Sequence, residues 1–211
     1  MPNLPCNSPS PSLRVLGQKF TAHLQRRLLS RWTIYARTRQ ILRFLHFCDT
    51  RAVALPIDLT REVIQAYHRH LCEHRTKYRA PLKSASVQHL LVGVNAFLVW
   101  LVREQIIPAN PFCGFEMPRK EHRLPRAILS PDEIEAILNL PDLQTPRGLR
   151  DRAIVEVLYS TGLRRMEHCR LDIAHVDFVN RLVRVEQGKG RKDRLVPIGG
   201  EALTWLGRWK N

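Results

Sequence analysis

The spacing of apolar residues predicts helices in the first half of the chain. Between Arg14 and Phe112, apolar side chains recur every three or four residues, which is the period of an amphipathic helix. The longest apolar face carries Val87, Leu91, Val94, Leu98 and Leu101. Only short polar stretches separate the helical segments, so we predict a helical bundle over residues 14–112.

The second predicted helix, from about Arg31 to Cys48, is strongly basic. The chain contains no Asp or Glu before Asp49. A helical period places Tyr35, Leu42 and Leu45 on one face and most of the arginines on the other. A cationic face with no acidic residue suits a phosphate backbone, whereas a merely solvated surface usually carries charges of both signs. We therefore predict DNA contacts from this helix and from the basic loop at 77–83, through Arg31, Arg37, Arg39, Arg43, Lys77 and Lys83.

Proline-rich stretches divide the chain into segments. Residues 1–13 are rich in Pro, Ser and Asn and are predicted to be a flexible arm. Residues 113–129 contain prolines and basic residues without a sustained period, which is typical of a linker. A new segment, 130–211, begins at Ser130, where the sequence S-P-D-E has the pattern of a helix capping box.

The pattern within residues 130–211 changes from helical to alternating. A helix is predicted from Gly148 to Tyr159 and is ended by Gly162. Alternating apolar and polar residues then predict strands at 173–178, 182–186 and 195–198. The fold class predicted for the whole chain is therefore mainly α, with a small antiparallel sheet in an α+β second domain.

The charge balance narrows the class of partner. The chain has 34 Lys and Arg residues against 19 Asp and Glu, a net charge of +15. Such an excess favours a polyanionic partner, and most often nucleic acid. RNA and anionic membranes are disfavoured, because aromatic RNA-binding motifs and a free amphipathic tail are missing from the sequence. We predict a cytoplasmic protein with no membrane partner. The five cysteines are scattered, which is typical of free thiols in a reducing compartment. The N-terminus does not resemble a signal peptide, and no apolar run comes near the ~20 residues of a membrane span.

A metal site is considered and not predicted. His70 and His74 are separated by one helical turn, next to His68 and Cys72, and this spacing can bind zinc. A second ligand pair at a consistent spacing does not occur elsewhere in the sequence. We therefore predict exposed polar residues on an amphipathic helix, and neither a metal nor a cofactor.

Two basic elements near the C-terminal end have the chemistry to bind phosphate. Arg164 and Glu167 are three residues apart, so they share a helix face, and a carboxylate that braces an arginine leaves a guanidinium able to bind two phosphate oxygens. The alternative is an ordinary surface ion pair worth ~0.5 kcal/mol or less. Lys189 lies between two glycines in a predicted hairpin turn that also contains Arg191 and Lys192. A lysine there can contact DNA or donate a proton to a leaving oxygen, and the spacing alone leaves a catalytic role open.

These two elements resemble those of a known family. The chain contains T-G-L-R-R-M-E-H-C-R-L at 161–171 and G-K-G-R-K-D-R-L-V-P-I-G at 188–199. Together they resemble the tyrosine recombinase family of Xer-type and of phage or integron integrases, and the resemblance covers about residues 14–211. It implies a helical core-binding (SAM-like) domain at 14–112, which clamps DNA, and the first part of a catalytic domain at 130–211.

The resemblance also implies roles for individual residues. Arg164 matches the arginine that holds the scissile phosphate, Glu167 the acidic residue that supports it, and Lys189 the hairpin lysine that donates a proton to the 5′ oxygen. The family forms a 3′-phosphotyrosyl intermediate without metal or cofactor. The implied partners are double-stranded DNA and other recombinase subunits.

The sequence departs from the family pattern after the hairpin. The family has a His-x-x-Arg box, a His or Trp and the tyrosine nucleophile there, whereas all the tyrosines of this chain precede Arg164, namely Tyr35, Tyr67, Tyr78 and Tyr159. We therefore expect a C-terminally truncated recombinase or integrase that does not cleave DNA alone. The alternative is a non-catalytic DNA-binding protein that occupies or competes for recombination sites.

Overall fold

A computed structural model describes residues 11–119, 128–188 and 192–210 of the chain. The chain divides into two compact units, Met1–Arg123 and Leu124–Asn211. Each unit has its own hydrophobic core.

The described part of the first unit contains four α-helices, α1 (Leu13–Arg26), α2 (Arg31–Asp49), α3 (Arg61–Glu73) and α4 (Ser84–Arg103), and a short 3-10 helix at Pro56–Asp58. Serine hydroxyls mark the starts of the first two. Ser12 Oγ accepts from the backbone N–H of Val15 at 3.5 Å, and Ser30 Oγ accepts from that of Thr33 at 3.2 Å. These contacts satisfy amide donors that have no partner within a helix, which explains why the helices begin there.

Helix α4 lies at the centre of the first unit. Its predicted core residues are all buried, namely Val87, Leu91, Val94, Leu98 and Leu101. By length and composition α4 could also span a membrane, contrary to the sequence-based expectation that no apolar run comes close. Its apolar residues instead pack in the core with those of α1, α2 and α3. At Gly93, α4 approaches α2 so closely that a Cβ would overlap the buried Gln40 side chain.

The predicted faces of α2 are wrong. Tyr35 and Leu42, assigned to the apolar face with Leu45, are 59% and 54% exposed. The buried face consists of Gln40, Ile41, Phe44, Leu45, Phe47 and Cys48. Arg31 and Arg39 share the exposed face with Tyr35 and Leu42, so arginines and apolar side chains are mixed there.

The second unit combines helices with a small sheet. Its elements are α5 (Pro131–Leu138), α6 (Pro146–Thr161), α7 (Arg165–His168), β1 (Val176–Asp177), β2 (Leu182–Val185), β3 (Arg194–Pro197) and α8 (Gly200–Lys210). The strands form an antiparallel sheet in the order β1-β2-β3, in which Val176 pairs with Val183, and Val183 with Val196. The predicted class, mainly α with a small antiparallel sheet, is confirmed.

The predicted start of α5 and the predicted end of α6 are confirmed, but one predicted strand is not. Ser130 and Glu133 form the predicted capping box of α5, and Gly162 ends α6 with a φ of 60°. The strand predicted at 173–178 is mostly absent, because Ile173–His175 form a 3-10 turn and only Val176–Asp177 pair with β2. A histidine-capped turn, in which Nδ1 of His175 accepts from the Asp172 N–H at 3.0 Å, replaces the beginning of that strand.

A nearly buried ion pair joins three helices of the second unit. The side chains of Arg152 and Glu156 are 12% and 7% exposed. Arg152 donates to Glu156 Oε1 through Nη2 at 2.6 Å and Nε at 3.1 Å, and through Nη1 to the Leu138 carbonyl and to Asn139 Oδ1. Its Cζ lies 4.8 Å from the centroid of the Trp205 ring. One guanidinium therefore connects α5, α6 and α8.

Candidate active site and nucleic-acid interface

The turn between α6 and α7 fixes the backbone of Arg164. Gly162 adopts a left-handed conformation that glycine tolerates well, and the next residue, Leu163, is 6% exposed in the core. Arg164 is the N-cap residue of α7, and its backbone N–H donates to Glu167 Oε2 at 3.0 Å. The position of this arginine is therefore set by a glycine stop, a buried leucine and a carboxylate.

Glu167 connects two arginines from distant parts of the sequence. Its side chain is only 8% exposed. Arg164 Nη1 donates to Oε1 at 3.0 Å, as the spacing of the two residues predicts. Arg194, at the start of β3, donates to Oε1 through Nη1 at 3.0 Å and to Oε2 through Nη2 at 2.6 Å. The contact from Arg194 is bidentate, whereas that from the Arg164 guanidinium involves one nitrogen.

These contacts keep Glu167 ionised. Hydrogen bonds from Arg194, and then from the backbone and side chain of Arg164, hold the pKa of the Glu167 carboxyl well below its usual range. The same pairing raises the pKa of Arg194. With two cations and one anion, the cluster has a net positive charge, and the Arg164 side chain is the most exposed of the three, at 58%. This arrangement can bind an anionic oxygen at Arg164.

Arg194 was not identified from the sequence as a site residue. Its contact with Glu167 spans 27 positions, so no helical or strand period connects the two residues. The available signal was its place at the start of the third strand, immediately after the basic turn. Sequence reasoning cannot pair a strand residue with a helix residue without the tertiary fold.

The base of the β2–β3 connection packs against this cluster. The N–H of Gln187, at a φ of 47°, donates to Asp193 Oδ1 at 2.8 Å, and the Gly188 N–H donates to the Lys192 carbonyl at 3.1 Å. A Cβ at Gly188 would lie 2.9 Å from Arg194 Nη1. It would also lie 3.0 Å from Glu167 Oε1 and from the Lys192 carbonyl. Glycine at this position therefore allows the connection to approach the ion pair closely.

Two of the predicted site residues, Lys189 and Arg191, lie outside the described residues. Lys192, the third basic residue of the predicted turn, is exposed. In the sequence, Lys189 directly follows Gly188.

The predicted DNA-binding residues of the first unit differ in exposure. Arg31 and Arg39 are exposed on α2 beside an exposed aromatic pair, Trp32 and Tyr35, whose ring centroids are 6.2 Å apart. Arg37 and Arg43 are partly buried, and Arg37 Nη1 donates to Gln40 Oε1 at 3.2 Å. In the basic loop, the Lys77 ammonium lies 4.8 Å from the centroid of the Tyr78 ring, and Lys83 is exposed immediately before α4.

Clustered metal ligands are not found in the described part of the chain, where no group of three His, Cys, Asp or Glu residues could hold an ion. The Cys72 Sγ lies 3.5 Å from His68 Nε2, and His70 stacks on Tyr67 with the ring centroids 6.4 Å apart. Burial is the first cause that lowers the pKa of His70, and the nearby Arg43 contributes.

Comparison with known proteins identifies the family. Residues 127–211 match the phage integrase family. Tyrosine recombinase XerC 2 of Ralstonia nicotianae is 44% identical over 198 residues, which cover 92% of this chain and 57% of that protein. Residues 127–211 belong to the phage integrase family, and most of the chain is similar in sequence to tyrosine recombinases.

Other members support this assignment. Tyrosine recombinase XerC of Serratia marcescens is 37% identical over 201 residues, which cover 95% of this chain and 63% of the relative. The chain thus spans less than two thirds of the length of these curated relatives. The crystal structure of a lambda integrase tetramer bound to a Holliday junction matches 94% of this chain and 56% of its own, with a TM-score of 0.70 and 20% identity. At that identity, the likeness supports the fold.

Proposed function

We propose that this chain binds double-stranded DNA as part of a site-specific recombinase and places Arg164 at the scissile phosphate. The observation that carries the proposal is the exposed Arg164 guanidinium, held by the nearly buried Glu167, in a chain of the tyrosine recombinase family. Solved relatives include a lambda integrase tetramer on a Holliday junction, which supports DNA and further recombinase subunits as partners.

We assign the two units to the two parts that the family resemblance implies. Residues 14–112 are the core-binding domain, 113–129 the linker and 130–211 the first part of the catalytic domain. The basic residues of α2 and of the loop before α4 then contact DNA phosphates, as do Arg191 and Lys192 of the β2–β3 connection. The cytoplasm is the proposed site of action, since that is where a bacterial-type recombinase meets DNA.

In the proposed reaction, the residues of this chain stabilise charge and supply a proton. The guanidinium of Arg164 neutralises the non-bridging phosphate oxygens as negative charge builds up on them. Glu167 holds that guanidinium, and Lys189 donates a proton to the 5′ oxygen as its bond to phosphorus breaks. The phosphorus is attacked by a tyrosine oxygen, which forms the 3′-phosphotyrosyl bond.

The four tyrosines of this chain precede Arg164, whereas the nucleophile of the family follows the hairpin. We therefore propose that the 211-residue polypeptide binds DNA without forming the phosphotyrosyl bond by itself. A nicked suicide substrate, in which the cleaved strand diffuses away, tests this directly. The expected result is no covalent protein–DNA adduct in a denaturing gel, and a trapped adduct would refute the proposal.

A salt series tests DNA binding through phosphate contacts. The logarithm of the association constant should fall linearly with the logarithm of the salt concentration, and each lost phosphate contact should reduce the slope by about 0.9. Arg39→Gln, on the exposed face of α2, is expected to reduce the slope by about that amount. The control is Arg14→Gln on α1, because Arg14 donates to Asp49 at 2.6 Å. A slope near zero for the wild type would refute DNA binding through phosphates.

A further inference from the structure

We propose that Arg194 is a positioning residue that keeps Arg164 available for phosphate by satisfying the carboxylate of Glu167. This inference rests on the proposed function, in which Arg164 binds the scissile phosphate. Arg194 itself needs no contact with DNA for this role.

The acceptor sites of Glu167 are filled in the structure. A carboxylate offers about four acceptor positions, two on each oxygen. Glu167 Oε1 accepts from Arg164 Nη1 and from Arg194 Nη1, both at 3.0 Å. Oε2 accepts from the Arg164 backbone N–H at 3.0 Å and from Arg194 Nη2 at 2.6 Å. Arg194 therefore occupies two of the four positions.

This occupancy limits the hold of Glu167 on Arg164. Within the described residues, the Arg164 side chain uses Nη1 alone for this contact, and it is 58% exposed. An arginine has five N–H donors, so among the described contacts most of those on Arg164 make no hydrogen bond to Glu167. Arg164 is thus oriented by Glu167 without being neutralised by it, because the charge of Glu167 is balanced by Arg194.

Loss of Arg194 would change the role of Glu167 from support to competitor. Two acceptor positions on the carboxylate would open, and among the described residues Arg164 is a cation that already donates to it. A bidentate Arg164–Glu167 pair would then compete with phosphate for the same donors, since arginine binds both anions in the same forked geometry. The loss of phosphate affinity expected without Arg194 therefore depends on the Glu167 carboxylate, and not only on the positive charge removed with Arg194.

The test titrates the full chain with dimethyl phosphate, a phosphodiester, at constant ionic strength maintained with potassium chloride. The signal followed is the Nε–Hε resonance of Arg164, assigned from the spectrum of Arg164→Lys. In the wild type this resonance should move in a saturable manner. In Arg194→Met the dissociation constant should rise about threefold to tenfold, the range expected from competition with one charged pair. The double variant Arg194→Met with Glu167→Gln should regain most of the affinity, because the competing charge is removed while an amide oxygen remains for the Arg164 N–H.

Further variants distinguish the explanations. Arg194→Lys keeps the charge without the forked contact, so its affinity should lie between those of the wild type and Arg194→Met. Equal affinity in wild type and Arg194→Met would overturn the role of Arg194 and leave the proposed function intact. A loss that Glu167→Gln does not restore would show that Arg194 acts through its own charge or through folding, and would also overturn the inference. No response of Arg164 to dimethyl phosphate in the wild type would instead refute the proposed phosphate site.

Discussion

Replacement of Arg152 by Met should destabilise the second unit by about 3 kcal/mol, near the lower end of the range for removing one partner from a buried ion pair. Glu156 is only 7% exposed, so water cannot replace the two hydrogen bonds that Arg152 donates to its Oε1. We take the lower end because Arg152 is itself 12% exposed and because the Leu138 carbonyl, at the end of α5, can gain a water. The contact with the Trp205 ring is lost as well.

Hydrogen exchange in the full chain, followed by mass spectrometry of peptides from α6 and α8, measures this change within the second unit alone. A destabilisation of about 3 kcal/mol corresponds to roughly 100-fold faster exchange of the most protected amides. The matched control is Arg150→Met, on the same helix, because its pair with Asp151 is 45% and 44% exposed. Exposed pairs contribute about 0–1 kcal/mol, so exchange in the control should change little.

A second variant tests the reason for the effect. Arg152→Met combined with Glu156→Met removes both charges, and replacement of a whole buried pair by apolar residues is often neutral. Most of the protection should therefore return. If the double variant exchanges as fast as Arg152→Met, the destabilisation comes from the lost contacts with α5 and Trp205. That result would refute an unpaired Glu156 carboxylate as its cause.

Three further results are expected. In urea unfolding, Gly93→Ala should destabilise the first unit by about 1–3 kcal/mol, because α4 approaches α2 closely at this glycine. Gly207→Ala, in α8 with open space around it, should stabilise the second unit by about 0.5–1 kcal/mol. Changes in unfolding free energy of the same sign for both variants would contradict this. The pKa of Glu167 is lowered in the folded protein, so the stabilisation from its ion pairs should be complete at a pH above the pKa of an ordinary carboxyl group. It should be lost only as the pH falls through the lower pKa of the folded state. A Glu167 carboxyl chemical shift that titrates near pH 4.5 would refute this. Gly188→Ala should weaken dimethyl phosphate binding at Arg164 by displacing the Glu167–Arg194 pair, and unchanged binding would show that the pair adapts.

The parts of the fold that follow local rules could be predicted from the sequence. The capping box at Ser130 and the left-handed stop at Gly162 are decided by residues within one turn of the chain, and both are present. The core face of α4 could be predicted because its five predicted core residues recur at a helical spacing, and all five are buried. The contact of Arg164 with Glu167 follows in the same way from their separation by three positions.

The errors concern choices that depend on distant parts of the chain. Helix α2 has apolar residues on two faces. Tertiary packing selects the face with Phe44 and Phe47, whose rings both contact Tyr67 of α3, while Tyr35 remains exposed. Periodicity alone cannot make that choice, because both stripes repeat at a helical spacing. The contact of Arg194 with Glu167 was missed for a related reason, since it depends on how β3 is placed beside α7.

The nearly buried carboxylates Glu156 and Glu167 show why net charge alone could not locate the site. Each is paired with arginine, but Arg152 beside Glu156 is 12% exposed and is also bonded to α5, so it has little capacity for a ligand. Glu167 has two arginines, and the more exposed of them, Arg164, contacts it through one guanidinium nitrogen among the described residues. A phosphate site needs both a surplus of positive charge and donors that reach solvent. Arg194 supplies the surplus positive charge, and by pairing with Glu167 it leaves donors of Arg164 available for phosphate. A variant at Arg194 therefore tests the proposed site more sharply than the removal of Arg164 itself.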